Sequence, residues 1–383
     1  MRAMFSAKWP NKICILALVL FSTAAWSQQN GQDNKSPDST QARAFDERNH
    51  ELRVEPPKST TPPNVIGNIA TPTAADWGED LNSLQVPGSP GTRVHIEDAF
   101  QIEDASYPQF TRELLRVQWR PIDPLDLVIV RPVGVKNPPV ILYLYSFPSD
   151  TDRYVSTEFC NALTAHGVAA VGFVSALTGH RYHERPTKEW FVSRLQESLA
   201  TSVHDVQFIL DYLSARGDFD MSRVGMWADG SGASIAIMAA AADPRIKVLD
   251  LLDPWGDWAD WLQSSTIVPD QERGDYLKSE FLKQVENLDP VKWLPSLSSR
   301  QVRLQFISQV KATPLAAQNK IQAAAPPSAT VKCYESLKDF LNSEAATGKP
   351  FAWIHQQVAV EKSAQDSSVA AGGSGMTEIR SNR

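Results

Sequence analysis

The sequence predicts an α/β domain: a mostly parallel central sheet with helices on both faces and an antiparallel hairpin at its start. Two observations carry this prediction. Apolar runs of strand length alternate with segments of helical period, and the first two strand-like runs are joined by a short turn. Strands that alternate with helices are joined by crossovers, which make neighbouring strands parallel.

The hairpin is predicted from ELLRVQWRP and DLVIVRP, which flank a turn at Ile122-Asp123-Pro124. The later strands are unbroken apolar runs, as expected for strands buried on both faces. These runs cover 139–147, 167–177, 223–227, 246–252, 302–308 and 330–335. Helical spacing or small-residue composition predicts helices over 156–166, 188–215, 233–242 and about 336–358.

The first 27 residues predict a secretory signal peptide. Arg2, Lys8 and Lys12 precede an apolar stretch of about 14 residues, and Ala25-Trp26-Ser27 places small residues where cleavage before Gln28 needs them. A stretch of that length is shorter than the roughly 20 residues that span a bilayer. The chain is therefore expected to be exported, periplasmic or secreted, with no stable membrane span after cleavage.

Two further segments predict disorder. Residues 28–90 are rich in Pro, Ser and Thr with few apolar side chains, and residues 363–383 have the same character, so neither buries enough surface to offset the entropy of ordering. This leaves a single domain over 91–362.

Composition excludes several classes of function. A net charge of −7 gives no basic surface for nucleic acid, and three separate cysteines do not make a disulfide scaffold or a zinc finger. The seven histidines form no HExxH pair. We therefore expect no metal and no cofactor, and small ester, peptide or apolar molecules as partners. The sequence leaves open whether Cys160 and Cys333 form a disulfide bond or remain free thiols.

The most specific motif joins a strand to a small-residue helix. Residues 223–247 read RVGMWADGSGASIAIMAAAADPRIK, and a later strand ends in LDLLDPWGDW at 249–258. Over about 110–358 the chain resembles the α/β-hydrolase superfamily, in its dienelactone-hydrolase and acyl-peptidase branch. The resemblance implies a nucleophile on a tight turn, flanked by glycines at two residues on either side because a Cβ there would clash.

The register of this turn departs from the family pattern. With Trp227 as the last strand residue, the window is Ala228-Asp229-Gly230-Ser231-Gly232, so Gly230 stands in the nucleophile position. The alternative is a slip of one residue, which makes Ser231 the nucleophile. The loop Ser146–Asp150 follows the strand PVILYLY and is expected at the other oxyanion position, where its backbone would receive a carbonyl. Phe147 of this loop is therefore expected beside Gly230, Ser231 and Gly232.

The other two members of a triad have weak candidates. In the family the acid usually follows the penultimate strand, but 309–314 carries no carboxylate, so Asp253 or Asp257 would have to substitute. The competing interpretation is that Asp253-Pro254 starts a loop. The family's histidine follows the last strand, where 333–338 has none. His355 is then the candidate base, although its place in the closing helix is typical of a helix surface.

Several histidines and tryptophans are candidates for a binding pocket, and each also has a purely structural interpretation. His180 and His183, next to Glu184, are expected at a pocket rim or in a solvated loop. Trp255 and Trp258 would roof a pocket for an apolar or sugar-like ligand, or else pack a lid helix. The pair His204-Asp205 on the long helix is interpreted as structural.

The sequence thus predicts an exported serine hydrolase of ester or peptide bonds whose triad is incomplete. The alternative is a non-catalytic relative that binds a ligand or anion, a pseudoenzyme. Nucleotide binding at Gly230-Ser231-Gly232 is disfavoured, because Ile235 takes the place of the third glycine and no P-loop lysine follows.

Overall fold

The fold is taken from a computed structural model that describes residues 100–117, 124–147, 151–176, 195–346 and 351–359. All of these residues lie within the predicted domain 91–362. The predicted signal peptide 1–27, leader 28–90 and tail 363–383 lie outside the described residues, and their assignments stay predictions.

The described strands form one sheet. They are β1 (Phe100–Ser106), β2 (Phe110–Val117), β3 (Leu125–Pro132), β4 (Pro139–Leu144), β5 (Ala169–Phe173), β6 (Asp220–Asp229), β7 (Ile246–Leu252), β8 (Gln301–Ile307) and β9 (Thr330–Tyr334). Their order is β1-β2-β3-β5-β4-β6-β7-β8-β9. Pairing is antiparallel from β1 through β2 and β3 to β5, and parallel from β5 to β9. The predicted mostly parallel sheet with an opening hairpin is confirmed.

The central strands are buried on both faces, as their unbroken apolar runs predict. Every residue of β4 and of β5 is buried. Alternate residues of β4 serve two separate cores: Val140 and Leu142 face one, Ile141 and Tyr143 the other. This division places β4, and the residues that follow it, at the middle of the molecule.

Helices cover both faces. They are α1 (Thr157–Leu163), α2 (Leu195–Arg216), α3 (Gly230–Ala242), α4 (Trp258–Ser264), α5 (Arg273–Tyr276), α6 (Ser279–Val285), α7 (Pro290–Trp293), α8 (Leu315–Ala324), α9 (Leu337–Ala346) and α10 (Ala352–Ala359). The core on one face includes residues of α2, α3 and α4, and the core on the other includes residues of α1, α9 and α10. None of the described helices is long and apolar enough to cross a bilayer.

The chain departs from prediction at two places. Strand β1 was not predicted, because its sequence FQIEDAS carries two adjacent acidic residues and it forms the edge of the sheet. The single closing helix expected over 336–358 is wrong: it is two helices, α9 and α10. Phe351, just before α10, has φ +62°, which no continuous helix permits, and Pro350 before it lacks the N–H that a helix needs.

A buried ion pair joins two central strands. Asp250 on β7 stands opposite Arg303 on β8, and both guanidinium contacts to the carboxylate are short, 2.7 Å from Nε and 2.6 Å from Nη2. Gln305 donates a third hydrogen bond to Asp250 at 2.9 Å, and the ring of Trp353 on α10 lies 4.9 Å from the guanidinium carbon. The charges of Asp250 and Arg303, which interrupt the apolar sequences of β7 and β8, thus neutralise each other across the strand pair.

We predict that Asp250→Ala lowers the free energy of unfolding by about 3–5 kcal/mol, because it leaves the Arg303 guanidinium buried without its partner. Urea denaturation measures the loss. The control is Asp275→Ala, which removes an exposed pair with Lys278 and should leave the midpoint unchanged. Equal midpoints for the two variants would contradict the assigned role of the buried pair.

Candidate functional site

The candidate site lies at the turn between β6 and α3. Strand β6 ends at Asp229, helix α3 begins at Gly230, and Gly230 has φ +50°. That backbone conformation belongs to the left-handed region, which glycine adopts without steric penalty. Gly230 is therefore the apex of the strand-to-helix turn, the position that carries the nucleophile in a hydrolase elbow.

Two close approaches place Gly230 at the apex. A Cβ at Gly230 would lie 2.2 Å from Oγ of Ser146 and 2.7 Å from its Cβ. A Cβ at Gly232, two residues later, would lie 2.4 Å from the carbonyl oxygen of Leu144 on β4. The second flanking glycine of the elbow therefore falls at 232, as it must when residue 230 is the apex; an apex at Ser231 would move that position to Ala233.

Ser231 is buried and makes two hydrogen bonds to the loop after β4. Its side chain is 0% exposed, and its Oγ accepts the backbone N–H of Phe147 at 2.9 Å. Its own backbone N–H donates to Oγ of Ser146 at 3.3 Å. By position, these two amides are the ones that bind the oxyanion in a hydrolase elbow, and here each of them faces a serine hydroxyl. The structure does bring Phe147, Gly230, Ser231 and Gly232 together, as expected.

Asp229 ties the loop after β4 to the elbow. One of its carboxylate oxygens, Oδ1, accepts the backbone N–H of Ser146 at 2.6 Å. Burial raises the pKa of Asp229 to about 6, against the opposing effects of Arg153 and of the Ser146 N–H. The Arg153 guanidinium in turn lies over the ring of Tyr145, 3.4 Å from its centre. The residue that precedes the apex of the elbow is thus a buried acid.

The two candidate acids occupy the loop after β7. Asp253 has φ +44°, and its Oδ1 accepts the N–H of Ile307 at 2.9 Å, while its carbonyl accepts the Thr313 hydroxyl at 2.9 Å. Burial raises its pKa to about 8, and the nearby Asp229 adds to the rise. These bonds are those of a residue that starts a loop and joins it to β8. Asp257 instead lies 3.0 Å from Lys320 in an ion pair at the start of α4.

His355 lies in the core rather than on a helix surface, so that expectation was wrong. It is 0% exposed, and its Nε2 is 2.9 Å from the hydroxyl of Tyr143. The reason is that its side of α10 packs against the sheet, on the face that holds Tyr143 and Ile354. No histidine in the described part of the chain is hydrogen-bonded to the Ser231 hydroxyl. His180 and His183 lie outside the described residues.

The tryptophans expected at a pocket rim are buried. Trp255 is 1% exposed and Trp258 is 3% exposed, and both contact the ring of Trp261, with centroids 4.7 Å and 5.6 Å away. Nε1 of Trp255 would lie 3.2 Å from a Cβ at Gly230. The packed-helix interpretation fits this environment, and the Trp255 indole closes the second side of the apex.

Sequence reasoning placed the backbone of Ser146 at the oxyanion position but missed the contact of its side chain with Gly230, and it missed Arg153. Ser146 directly follows the β4 run, next to the predicted Phe147, so its proximity to the elbow follows from the parallel pairing of β4 with β6. Arg153 comes from a turn of 3-10 helix at Asp152–Val155 that carried no motif. Within the described ranges, no group of three His, Cys, Asp or Glu side chains is placed to hold a metal ion, and Cys160 and Cys333 are free thiols.

Comparison with protein-family models and with curated proteins gives no match. Among solved structures, the chain is similar to an acetyl xylan esterase from Paenibacillus sp. R4, at 14% identity and a TM-score of 0.55, over 72% of this chain and 92% of that one. It is also similar to acetyl xylan esterase 1 from Thermoanaerobacterium sp. JW/SL YS485, at 12% identity and a TM-score of 0.56, over 73% and 94%. The chain has the α/β-hydrolase fold.

We predict that Gly230→Ala lowers the free energy of unfolding by about 1–3 kcal/mol, because the new Cβ would overlap Oγ of Ser146 and φ is positive. Adding Ser146→Gly removes Oγ and Cβ of residue 146, the two atoms that the new Cβ would overlap. The double variant should therefore recover part of the lost free energy of unfolding, as measured in a double-mutant cycle by urea denaturation. Gly274→Ala, where no atom lies within 4 Å of the new Cβ, is the control. Additive losses at 230 and 146 would contradict the contact.

We predict that the contribution of Asp253 to the stability of the protein falls as pH rises from about 4 to about 8, because folding holds a proton on this carboxyl. The carboxyl ionises near its ordinary pKa of about 3.9 in the unfolded chain but only at about 8 in the folded one. The free energy of unfolding therefore decreases by at most about 1.4 kcal/mol per pH unit from this group.

Asp253→Asn keeps the oxygen that accepts the Ile307 N–H and removes the titration. Relative to this variant, the native chain should lose stability between about pH 5 and about pH 8 in urea denaturation. Asp275→Asn, the same substitution at an exposed carboxylate, is the matched control. Parallel pH curves for the native chain and Asp253→Asn would contradict a protonated buried acid.

Proposed function

We propose that this chain is an exported α/β-hydrolase-fold protein of the serine ester- or peptide-hydrolase type whose catalytic triad is incomplete. The observation that carries the proposal is the glycine at the apex of the elbow. Gly230 has the positive φ and the close neighbours of a nucleophile position, but it has no side chain to attack a carbonyl carbon.

The environment of the other triad candidates supports the same proposal. The Asp253 carboxylate accepts the N–H of Ile307 at the start of its loop, and Asp257 forms an ion pair with Lys320. His355 bonds to Tyr143 in the core. A triad acts as a unit, because the base must reach the nucleophile and the acid must orient the base. None of these bonds joins two of the candidate residues.

The substrate class proposed is a small ester or peptide, with an apolar molecule as the remaining option. The two solved structures reported above are both acetyl xylan esterases, which favours an ester and does not favour the non-catalytic alternative. The proposal of export rests on the charged start and short apolar stretch of residues 1–27.

The proposal is tested by ester and peptide turnover of the mature chain, with p-nitrophenyl acetate and an N-acetyl peptide anilide as substrates. We predict slow turnover in the native chain. The turnover rate should change by less than about tenfold in Ser231→Ala and in His355→Ala, since neither the Ser231 hydroxyl nor the His355 imidazole belongs to a working triad. Circular dichroism checks that each variant is folded.

Two results would contradict the proposal. A loss of turnover by a factor of about 1,000 or more in Ser231→Ala or His355→Ala would show that a complete triad operates through that residue. Absence of turnover on every ester and peptide tried, with the native chain folded, would remove the hydrolase part of the proposal.

A further inference from the structure

We propose that the oxyanion position of this elbow is occupied by two serine hydroxyls of the chain itself, which block it as an autoinhibitory contact. The hydroxyls are those of Ser146, in the loop after β4, and Ser231, in the first turn of α3. The inference rests on the proposed function and deepens it, because it names the contact that keeps turnover of an ester or peptide slow.

Each of the two amides at the oxyanion position already has a hydroxyl as its acceptor. The N–H of Phe147 donates to Oγ of Ser231 at 2.9 Å, and the N–H of Ser231 donates to Oγ of Ser146 at 3.3 Å. Residue 231 thus donates with its amide and accepts with its hydroxyl, a reciprocal arrangement like that of a capping box. Because a backbone amide carries one hydrogen, these two amides are not available to the oxygen of a substrate.

The Ser146 hydroxyl takes the place of a helix cap. The first N–H groups of a helix have no partner within the helix and need an acceptor from outside it. The carboxylate of Asp229, in the N-cap position of α3, accepts the N–H of Ser146 rather than a helix amide. Ser146 therefore supplies from another strand the acceptor for an amide that a hydrolase elbow keeps for the oxyanion.

The occupied position is also enclosed. Ser231 is 0% exposed, Ser146 is 4% exposed, and the buried Trp255 indole nitrogen would lie 3.2 Å from a Cβ at Gly230. The N-terminus of a helix carries a partial positive charge that favours an anion. A position whose charge favours an anion is thus filled by two neutral hydroxyls, and a carbonyl oxygen reaches the amides only when those hydroxyls are absent or displaced.

The backbone around this position is held by contacts that use no serine side chain. Oδ1 of Asp229 accepts the backbone N–H of Ser146 at 2.6 Å, which fixes the loop after β4. The N–H of Trp255 donates to the carbonyl of Gly230 at 3.3 Å, and Gly230 keeps its positive φ. Replacing both serines by alanine therefore leaves the two amides in place, with the space of two oxygen atoms in front of them.

The inference is tested by titrating formate at neutral pH into the ¹⁵N-labelled protein and following its backbone amide signals by NMR. Formate is a small anion whose oxygens accept the hydrogen bonds that an oxyanion accepts. In the double variant Ser146→Ala with Ser231→Ala, we expect the amide signals of residues 147 and 231 to shift with formate and to saturate. In the native protein the same signals should not respond, because each amide has its acceptor.

The matched control is the double variant Ser308→Ala with Ser328→Ala, which removes two exposed serine hydroxyls and should behave like the native protein. The single variants examine each amide separately. Ser231→Ala removes only the acceptor of the Phe147 N–H, and Ser146→Ala removes only the acceptor of the residue 231 N–H. Each should therefore give a formate response at one signal, and these variants keep the test valid when the double variant does not fold.

Three results would overturn the inference. A saturable response of both amides in the native protein would show that the position is open. Folded variants without a response at either amide would show that the hydroxyls are not what closes it. Loss of folding in all three variants would show that the hydroxyls build the elbow rather than block it.

Formate binding and ester turnover fail independently. A formate response in the variants, without turnover of any ester or peptide by the native protein, would remove the hydrolase part of the proposed function and leave the occupied oxyanion position standing. Ester turnover by the native protein, without a formate response in any folded variant, would overturn only the occupied position.

Discussion

The structure of this site depends on a steric exclusion between two residues from different strands. The hydroxyl of Ser146 occupies the space directly over Gly230, so that a side chain at 230 and the present position of that hydroxyl exclude each other. The positive φ of Gly230 keeps the turn in the conformation of an elbow while its apex stays bare. The elbow therefore keeps its shape with no side chain at its apex.

Hydrogen bonds fix this arrangement from both sides. Asp229 holds the amide of Ser146, the amide of Ser231 holds the hydroxyl of Ser146, and the hydroxyl of Ser231 holds the amide of Phe147. Each of these hydrogen bonds joins the loop after β4 to the elbow, so the three bonds hold the two segments together. The buried side chains of Ser146, Asp229 and Ser231 each have a hydrogen-bond partner within the chain, which stabilises the closed arrangement without a ligand.

The sequence reveals most of the fold because the central strands are uninterrupted apolar runs, and Ile246–Leu252 was predicted with the bounds that the structure has. It fails where tertiary contacts decide. The burial of His355 depends on Tyr143, which lies 212 residues earlier. The break between α9 and α10 is different, because Gly348 and Pro350 mark it locally and the predicted helix ran through both.

The sequence likewise predicts only the part of the candidate site that lies in one continuous segment. Gly230 at the apex follows from counting along one continuous segment, since the spacing of the glycines is local. Ser146 is 85 residues from Ser231, and only the parallel pairing of β4 with β6 brings the two together. A lone serine after a strand carries no pattern that distinguishes it from any other loop serine.

The most direct measurement is a crystal structure of this protein at a resolution that positions side-chain oxygens. We predict that Oγ of Ser146 lies over the Cα of Gly230 within hydrogen-bond distance of the Ser231 amide, and that Oγ of Ser231 points to Phe147. Electron density that places the Ser231 hydroxyl at the apex of the turn, directed at a histidine ring, would contradict the account.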